Sequence, residues 1–418
     1  MKIEQYLSRF RNGLSINVSG AQVINKCVFF VIFAIVTKKF SKNEYSNFVL
    51  IFAVLNTILE IGNSGLLQGV SRFASMHRFS IKRQRITNFT FVVLALAISS
   101  CLLILVYLLS KYGLINIEVN YLIILFVVQS VYFNLFNTLF LAHGKERIYF
   151  ISILINSSVL FSSFIYVVFF DIDFSVDKII LCNIGGLFCA IVFQLFNTVG
   201  LDRIKFNLTT SNVVFKFGKW YFLWALFSII DNKIELFLLA RLTDTNQLAF
   251  YDVSLKFLQI IQLFLNSSIS VLLPIAALAS NSVKHFEEFK LERKKKINFL
   301  IILNTSLILP LMGFIKLYYR GEYDLSIYCF LILSLSMYFM ILTLKPSSEI
   351  YRLNKPSYVL VFGVVNAFFK LIFLYMLTEK YGAIGVSLSL LLSQILGFLI
   401  MNTVVNNIIV NTKRYKLN

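Results

Sequence analysis

The sequence predicts an all-α membrane protein of about twelve spans in two six-helix bundles, with both termini cytoplasmic. Three observations carry that expectation. Of the 418 residues, 58% are hydrophobic and 14% charged, against roughly 45–50% and about 25% in soluble domains. The mean hydropathy is +0.79, and the apolar residues fall in blocks close to the ~20 that a helix needs to cross a bilayer. A spanning segment must satisfy its own backbone, as a helix or in a closed barrel, and the period-two alternation of a barrel is not seen. Finally, 25 Lys and Arg fall in one set of alternating connections and nine in the other. The positive-inside rule makes the richer side cytoplasmic, and an even span count puts both chain ends there.

The elements follow in order. Met1 to Asn12 carry Lys2, Arg9 and Arg11 among Ile3, Tyr6, Leu7 and Phe10, the pattern of a short interfacial amphipathic helix and not of a cleavable signal. The first span, 14–36, holds Lys26 near its middle. The second, 47–70, sets Asn56, Glu60 and Asn63 at i, i+4, i+7 on one face. Its Gly62, Ser64, Gly65 and Gly69 permit close helix packing or bending, and Arg72 stands near its cytoplasmic end. Spans 89–109, 121–141 and 148–170 come next, then 179–199 with Gly185 and Gly186.

The basic stretch 201–219 reads as a cytoplasmic linker between a first bundle, 1–200, and a second, 220–418. Span 220–242 places Asp231 and Glu235 on one face and turns Lys233 elsewhere. Span 249–279 carries a stripe of Lys256, Gln259, Gln262 and Asn266. It exceeds one bilayer thickness, so it tilts, kinks near Pro274 or extends into water. Spans 299–315, 326–344, 358–377 (with Asn366 and Lys370 four apart) and 383–410 complete the set. A shift of 206 residues brings Thr37 onto Thr243, Tyr45 onto Tyr251 and Lys26 onto Asn232, a faint six-plus-six repeat of the kind transporters show.

A charge at mid-membrane costs about 2.5–3.5 kcal/mol on insertion scales, so intramembrane charges face a wet cavity or one another. Lys26, Arg72, Lys233, Lys256 and Lys370 are therefore candidate cavity cations for a cargo carrying phosphate, and the Arg72 guanidinium can grip phosphate bidentately. Each also has a purely structural reading. Lys26 can pair with Glu60 or Asp231, Lys370 can snorkel to an interface, and Arg72 can meet a headgroup. Asp231, then Glu60 and Glu235, are candidate ion-coupling carboxylates able to bind H⁺ or Na⁺.

Other chemistry is not expected. There is no GxxxxGK[ST] for nucleotide, no histidine in a span for a Ser/His/Asp arrangement, and no metal-ligand spacing among the five cysteines. No cofactor is called for beyond a possible H⁺ or Na⁺ gradient. The net charge of +19 suits anionic headgroups on the cytoplasmic face and needs no nucleic acid partner.

Three segments resemble one family: 39–48 (KFSKNEYSNF), 63–75 (NSGLLQGVSRFAS), and 230–240 (IDNKIELFLLA) with 249–252 (AFYD). They are similar to O-antigen flippases of the polysaccharide transporter family, within the multidrug/oligosaccharidyl-lipid/polysaccharide exporter superfamily. Ala249 and Ser46 stand where that family often has glycine. The resemblance implies a MATE-like, alternating-access fold in a bacterial inner membrane. It implies outward movement of an undecaprenyl-diphosphate-linked oligosaccharide, ion antiport, and a cavity lined by Lys26, Arg72, Asp231 and Lys233. Implied partners are the lipid-linked substrate, membrane lipids, and polysaccharide polymerase and chain-length proteins. Three rivals remain at this level, one of them a lipid II flippase for peptidoglycan, which would usually carry more spans. A small-solute antiporter would favour acidic cavity residues, and an O-antigen polymerase or other glycosyltransferase would need a larger external loop than the roughly ten residues available.

Overall fold

A computed structural model describes residues 15–76, 81–111, 120–170, 174–198, 206–278, 283–353 and 357–414. Among these residues every element is an α-helix. In order they are α1 (Ser15–Lys39), α2 (Lys42–Met76), α3 (Ile81–Lys111), α4 (Tyr121–Ala142), α5 (Glu146–Phe169) and α6 (Val176–Asn197). Then come α7 (Leu208–Leu242), α8 (Thr245–Leu278), α9 (Val283–Tyr319), α10 (Asp324–Leu342), α11 (Leu344–Arg352) and α12 (Ser357–Arg414). The amphipathic segment expected at 1–12 lies outside the described residues.

Local chemistry sets the ends. Ser41 and Glu44 form a reciprocal capping box at the start of α2: Glu44 Oε2 accepts from the Ser41 N–H at 2.9 Å, and Ser41 Oγ accepts from the Glu44 N–H at 3.4 Å. The Asn120 side chain caps α4 by accepting from the Ile123 N–H. Near its middle α12 is broken at Gly382, whose φ of 55° and ψ of −130° are not helical. That break separates the expected eleventh and twelfth spans. The Ala383 N–H it frees donates to Gln247 Oε1 at 3.1 Å, so a side chain from α8 caps the second half of α12.

Among the described residues ten stretches are long and apolar enough to cross a membrane, and the last of them, Val361–Ile408, contains both halves of α12. Nine correspond one to one with the expected first to sixth and eighth to tenth spans. The expected seventh lies in α7, many of whose side chains are outside the description. One expectation differs from the structure. The stretch read as a linker, 201–219, is helical from Leu208 onward because α7 is 35 residues long. The long eighth span, expected to tilt, kink near Pro274 or extend into water, continues as helix past Pro274 to Leu278.

The chain divides into two compact units: Met1–Phe40 with Ile51–Ile229, and Ser41–Leu50 with Ile230–Asn418. In the first, α5 packs on α6 and α1, and α4 on α6 and α3. Its interior carries polar glue. Gln194 Nε2 donates to Asn137 Oδ1 at 2.9 Å and to Ser152 Oγ at 2.6 Å, and Ser157 Oγ donates to Asn25 Oδ1 at 3.0 Å. Interhelical hydrogen bonds of this kind contribute about 0.6 kcal/mol each in a membrane protein. In the second unit α10 packs on α12, α8 and α9, and α8 also meets α9, α11 and α12.

Candidate functional site

The α7–α8 hairpin positions the principal charges of the second unit. Only Thr243 and Asp244 separate the two helices, and the Thr243 hydroxyl closes the end of α7 by donating to the Leu239 carbonyl at 2.6 Å. Glu235 stands seven positions before the end of α7, and Asp252 seven positions after the start of α8. At 1.5 Å per residue each carboxylate lies about 10 Å along its helix from the turn. Both are buried, with 4% and 2% exposure.

Each carboxylate meets a lysine. Lys370 of α12 is 4% exposed, and its Nζ lies 2.7 Å from Glu235 Oε2. Lys256, one turn along α8 from Asp252, approaches Asp252 Oδ1 at 3.5 Å with its side chain 34% exposed. Two fully buried tyrosines complete the cluster. The Tyr45 hydroxyl, at the start of α2, donates to Asp252 Oδ2, and Tyr251 lies beside Glu235. At the adjoining end of the unit, Phe250 and Tyr323 pack edge to face at 5.7 Å. Lys42 Nζ sits 4.9 Å from the Phe250 ring centroid, within cation–π range. Tyr323, in the turn between α9 and α10, has its phenol pushed well above the ordinary value by burial, with the Glu322 and Asp252 carboxylates adding to the rise.

The expected residues are thus distributed unevenly. Lys370 and Glu235, assigned separately to cargo binding and ion coupling, are brought together in one buried ion pair. Lys370 is therefore not an open vestibule cation, and it does not reach an interface. Lys256 is charge-compensated by Asp252 but remains half-open. Lys233 is half-buried on α7, as is Glu60 on α2, and Lys26 is exposed on α1. Arg72 and Asp231 lie on α2 and α7, but their side chains are outside the description. Asp252, Tyr45 and Tyr251 were not among the expected residues. The signals were present in the i, i+4 spacing of Asp252 and Lys256 and in the 206-residue shift, which superposes Tyr45 on Tyr251.

A second charged cluster stands at the other end of this unit. Arg293, 8% exposed in α9, donates through Nη1 to Glu349 Oε1 of α11. Arg352 Nε approaches Glu349 Oε2 at 2.6 Å. The two guanidinium groups sit 4.8 Å from the ring centroids of Phe289 and Phe286 respectively. One carboxylate with both oxygens engaged by arginines over aromatic faces is a rigid clamp. It fixes the short α11 against α9.

Comparison with known proteins adds identity to this geometry. A family model described as "Polysaccharide biosynthesis protein" matches residues 11–280. A Shigella flexneri protein provisionally named an O-antigen transporter is 25% identical over 218 residues, which are 50% of each chain. The chain thus spans about half the length of that relative. An inward-facing multidrug resistance MATE transporter of the MOP superfamily superposes with a TM-score of 0.71 at 13% identity, covering 91% of this chain and 95% of its own. The lipid II flippase MurJ, in an inward closed conformation, superposes with a TM-score of 0.72 at 15% identity, over 94% and 87% of the two chains. These likenesses establish the fold. With ten apolar stretches and these relatives, the chain is a multi-pass protein of the bacterial inner membrane.

Proposed function

This chain belongs to the polysaccharide biosynthesis protein family, and on that premise we propose that it is a flippase. It carries an undecaprenyl-diphosphate-linked oligosaccharide, an O-antigen or capsule repeat unit, from the cytoplasmic to the outer leaflet by alternating access. The observation that carries the reading is the buried charge cluster Glu235–Lys370 and Asp252–Lys256 inside the spans of the second unit. Hydrocarbon-embedded charges are costly, and a protein that needed only an anchor would not keep four of them. The names of the Shigella relative, an O-antigen transporter, and of MurJ, a lipid II flippase, support the choice of cargo.

In this mechanism the candidate cations of each unit, Lys26 and Arg72 in the first and Lys233 and the half-open Lys256 in the second, are available to the diphosphate. Lys370 joins them only when Glu235 is protonated and releases it. Protonation of a buried carboxylate therefore exchanges an internal counter-ion for the cargo's own negative charge, which couples flipping to an H⁺ gradient. Asp231, Glu60, Glu235 and Asp252 are the carboxylates available for that role. The flipped unit passes to a polysaccharide polymerase and its chain-length proteins.

The test is reconstitution in proteoliposomes with a fluorescent lipid-linked oligosaccharide. The expected result is gradient-stimulated loss of the label to an external glycosidase or quencher, faster than in protein-free vesicles. Absence of any flipping, with uptake of a small cationic dye in its place, would make the protein a small-solute antiporter and overturn the reading.

A further inference from the structure

The first unit contains an apolar cavity of about 330 Å³ that the charge cluster does not use. Its walls include Ile61 and Leu66 of α2, Ile98 and Leu102 of α3, and Phe215 and Phe222 of α7. We propose that this cavity holds part of the polyprenyl chain of the lipid-linked cargo. The inference rests on the flippase reading and deepens it, by assigning the hydrocarbon end of the cargo a place on the protein.

Three observations argue for that occupant. The lining is hydrocarbon apart from the Cys101 thiol, and an apolar cavity of this kind excludes water and takes apolar guests. A cavity of about 150 Å³ accepts a benzene, so 330 Å³ admits roughly a dozen carbons, about two to three isoprene units. The depth also matters. Ile61, Gly62 and Leu66 lie in the last ten residues of the expected second span, 47–70, so the cavity belongs to the cytoplasmic half of the hydrocarbon core, the leaflet from which the cargo is loaded.

The polar neighbourhood then decides between a polyprenyl chain and a phospholipid tail. Asn56, Glu60 and Asn63 run along α2 from the middle of the expected span to the cavity. Asn63, 7% exposed, has its Oδ1 buried and without a hydrogen-bond partner among the described residues. A phospholipid keeps its headgroup at the interface and gains nothing from polar groups at mid-bilayer. A carried amphiphile brings its polar head to that depth while its chain stays in hydrocarbon.

The walls are set by direct contact with the α2 backbone. A Cβ on Gly62 would lie 2.5 Å from Leu102 Cδ1, and one on Gly69 would lie 2.7 Å from Val214 Cγ1 and 3.0 Å from the Val214 carbonyl oxygen. Leu102 and Val214 both line the cavity. A methyl at position 62 therefore drives the flexible Leu102 side chain toward the space that the chain would occupy.

The test uses the native protein in nanodiscs of phosphatidylethanolamine and phosphatidylglycerol. Cys101 lines the cavity and is exposed, as are Cys27 and Cys189, which stand elsewhere. Alkylation by a membrane-permeant maleimide is read peptide by peptide in the mass spectrometer. Added undecaprenyl monophosphate is expected to slow modification of Cys101 about fivefold, as four-fifths occupancy requires, and to leave Cys27 and Cys189 unchanged. Extra phosphatidylglycerol is expected to have no effect. In Gly62→Ala and Ile98→Trp, protection by undecaprenyl monophosphate is expected to disappear. Failure of undecaprenyl monophosphate to protect Cys101, or equal protection by phosphatidylglycerol, overturns the inference even where flipping is normal. Protection without flipping in the proteoliposome assay supports the cavity assignment while removing the transport reading.

Discussion

The Glu235–Lys370 pair allows a quantitative prediction. Both residues are 4% exposed and the charges approach to 2.7 Å. Removing one partner leaves the other charge buried and unpaired, which costs about 3–5 kcal/mol. A lone charge at the bilayer centre costs a similar amount on insertion scales. At about 2–4 °C per kcal/mol for a unit of this size, Glu235→Leu or Lys370→Met should each lower the melting temperature in nanodiscs on the order of 10 °C. Removing both charges together is near neutral or stabilising in comparable buried pairs. The double variant should therefore return close to the parent, giving a coupling energy of about 6–10 kcal/mol, the sum of the two single losses. Intrinsic fluorescence melting of the four proteins measures it. Additive losses, or single-variant shifts below about 2 °C, would refute the reasoning. Flipping by the double variant separates the two roles of the pair. Restored stability with lost gradient stimulation supports exchange of counter-ions, and full recovery of transport makes the pair structural.

Other sites give independent expectations. Tyr45→Phe removes a hydrogen bond to the buried Asp252 carboxylate and should cost about 1.5–3 kcal/mol by the same melting measurement; no shift would mean that the bond is dispensable. Arg293→Lys keeps the charge but loses the planar fork and the stacking on Phe289, so it should destabilise by about 1–3 kcal/mol and increase proteolysis near α11, and parental cleavage would contradict the clamp. Gly69→Ala meets the Val214 carbonyl and should cost about 1–3 kcal/mol, whereas Gly62→Ala, which meets only the end of the Leu102 side chain, should cost less; the reverse order in thermal melts would show that α2 packs otherwise. Gly382→Ala places a side chain at φ 55° and against Gln247 Oε1. It should cost about 1–3 kcal/mol and raise amide hydrogen exchange at Ala383.

Much of the fold is legible in the sequence because the bilayer simplifies the question. With no water to satisfy an exposed backbone, a long apolar block must be a helix, and its length nearly sets its ends. The break between the eleventh and twelfth spans was visible as Gly382 within a polar interruption, although its non-helical backbone and the cap donated from Gln247 were not. The identity of the family was legible in short segments around Tyr45, Arg72 and Asp231. The start of α7 was missed because Leu208–Lys219 is too basic to count as a span, yet a helix may run out of a membrane without changing its hydrogen bonding.

The sequence by itself determined the class of protein and the order of its long apolar helices, since these depend on transfer free energies summed over consecutive residues. Tertiary structure alone decided which charge answers which. Spacing could pair Asp252 with Lys256, one turn apart, but it could not bring Glu235 to Lys370 across 135 positions, or Tyr45 to Asp252 across 207. Those pairings depend on how helices pack side by side, and hydropathy carries no record of a neighbour.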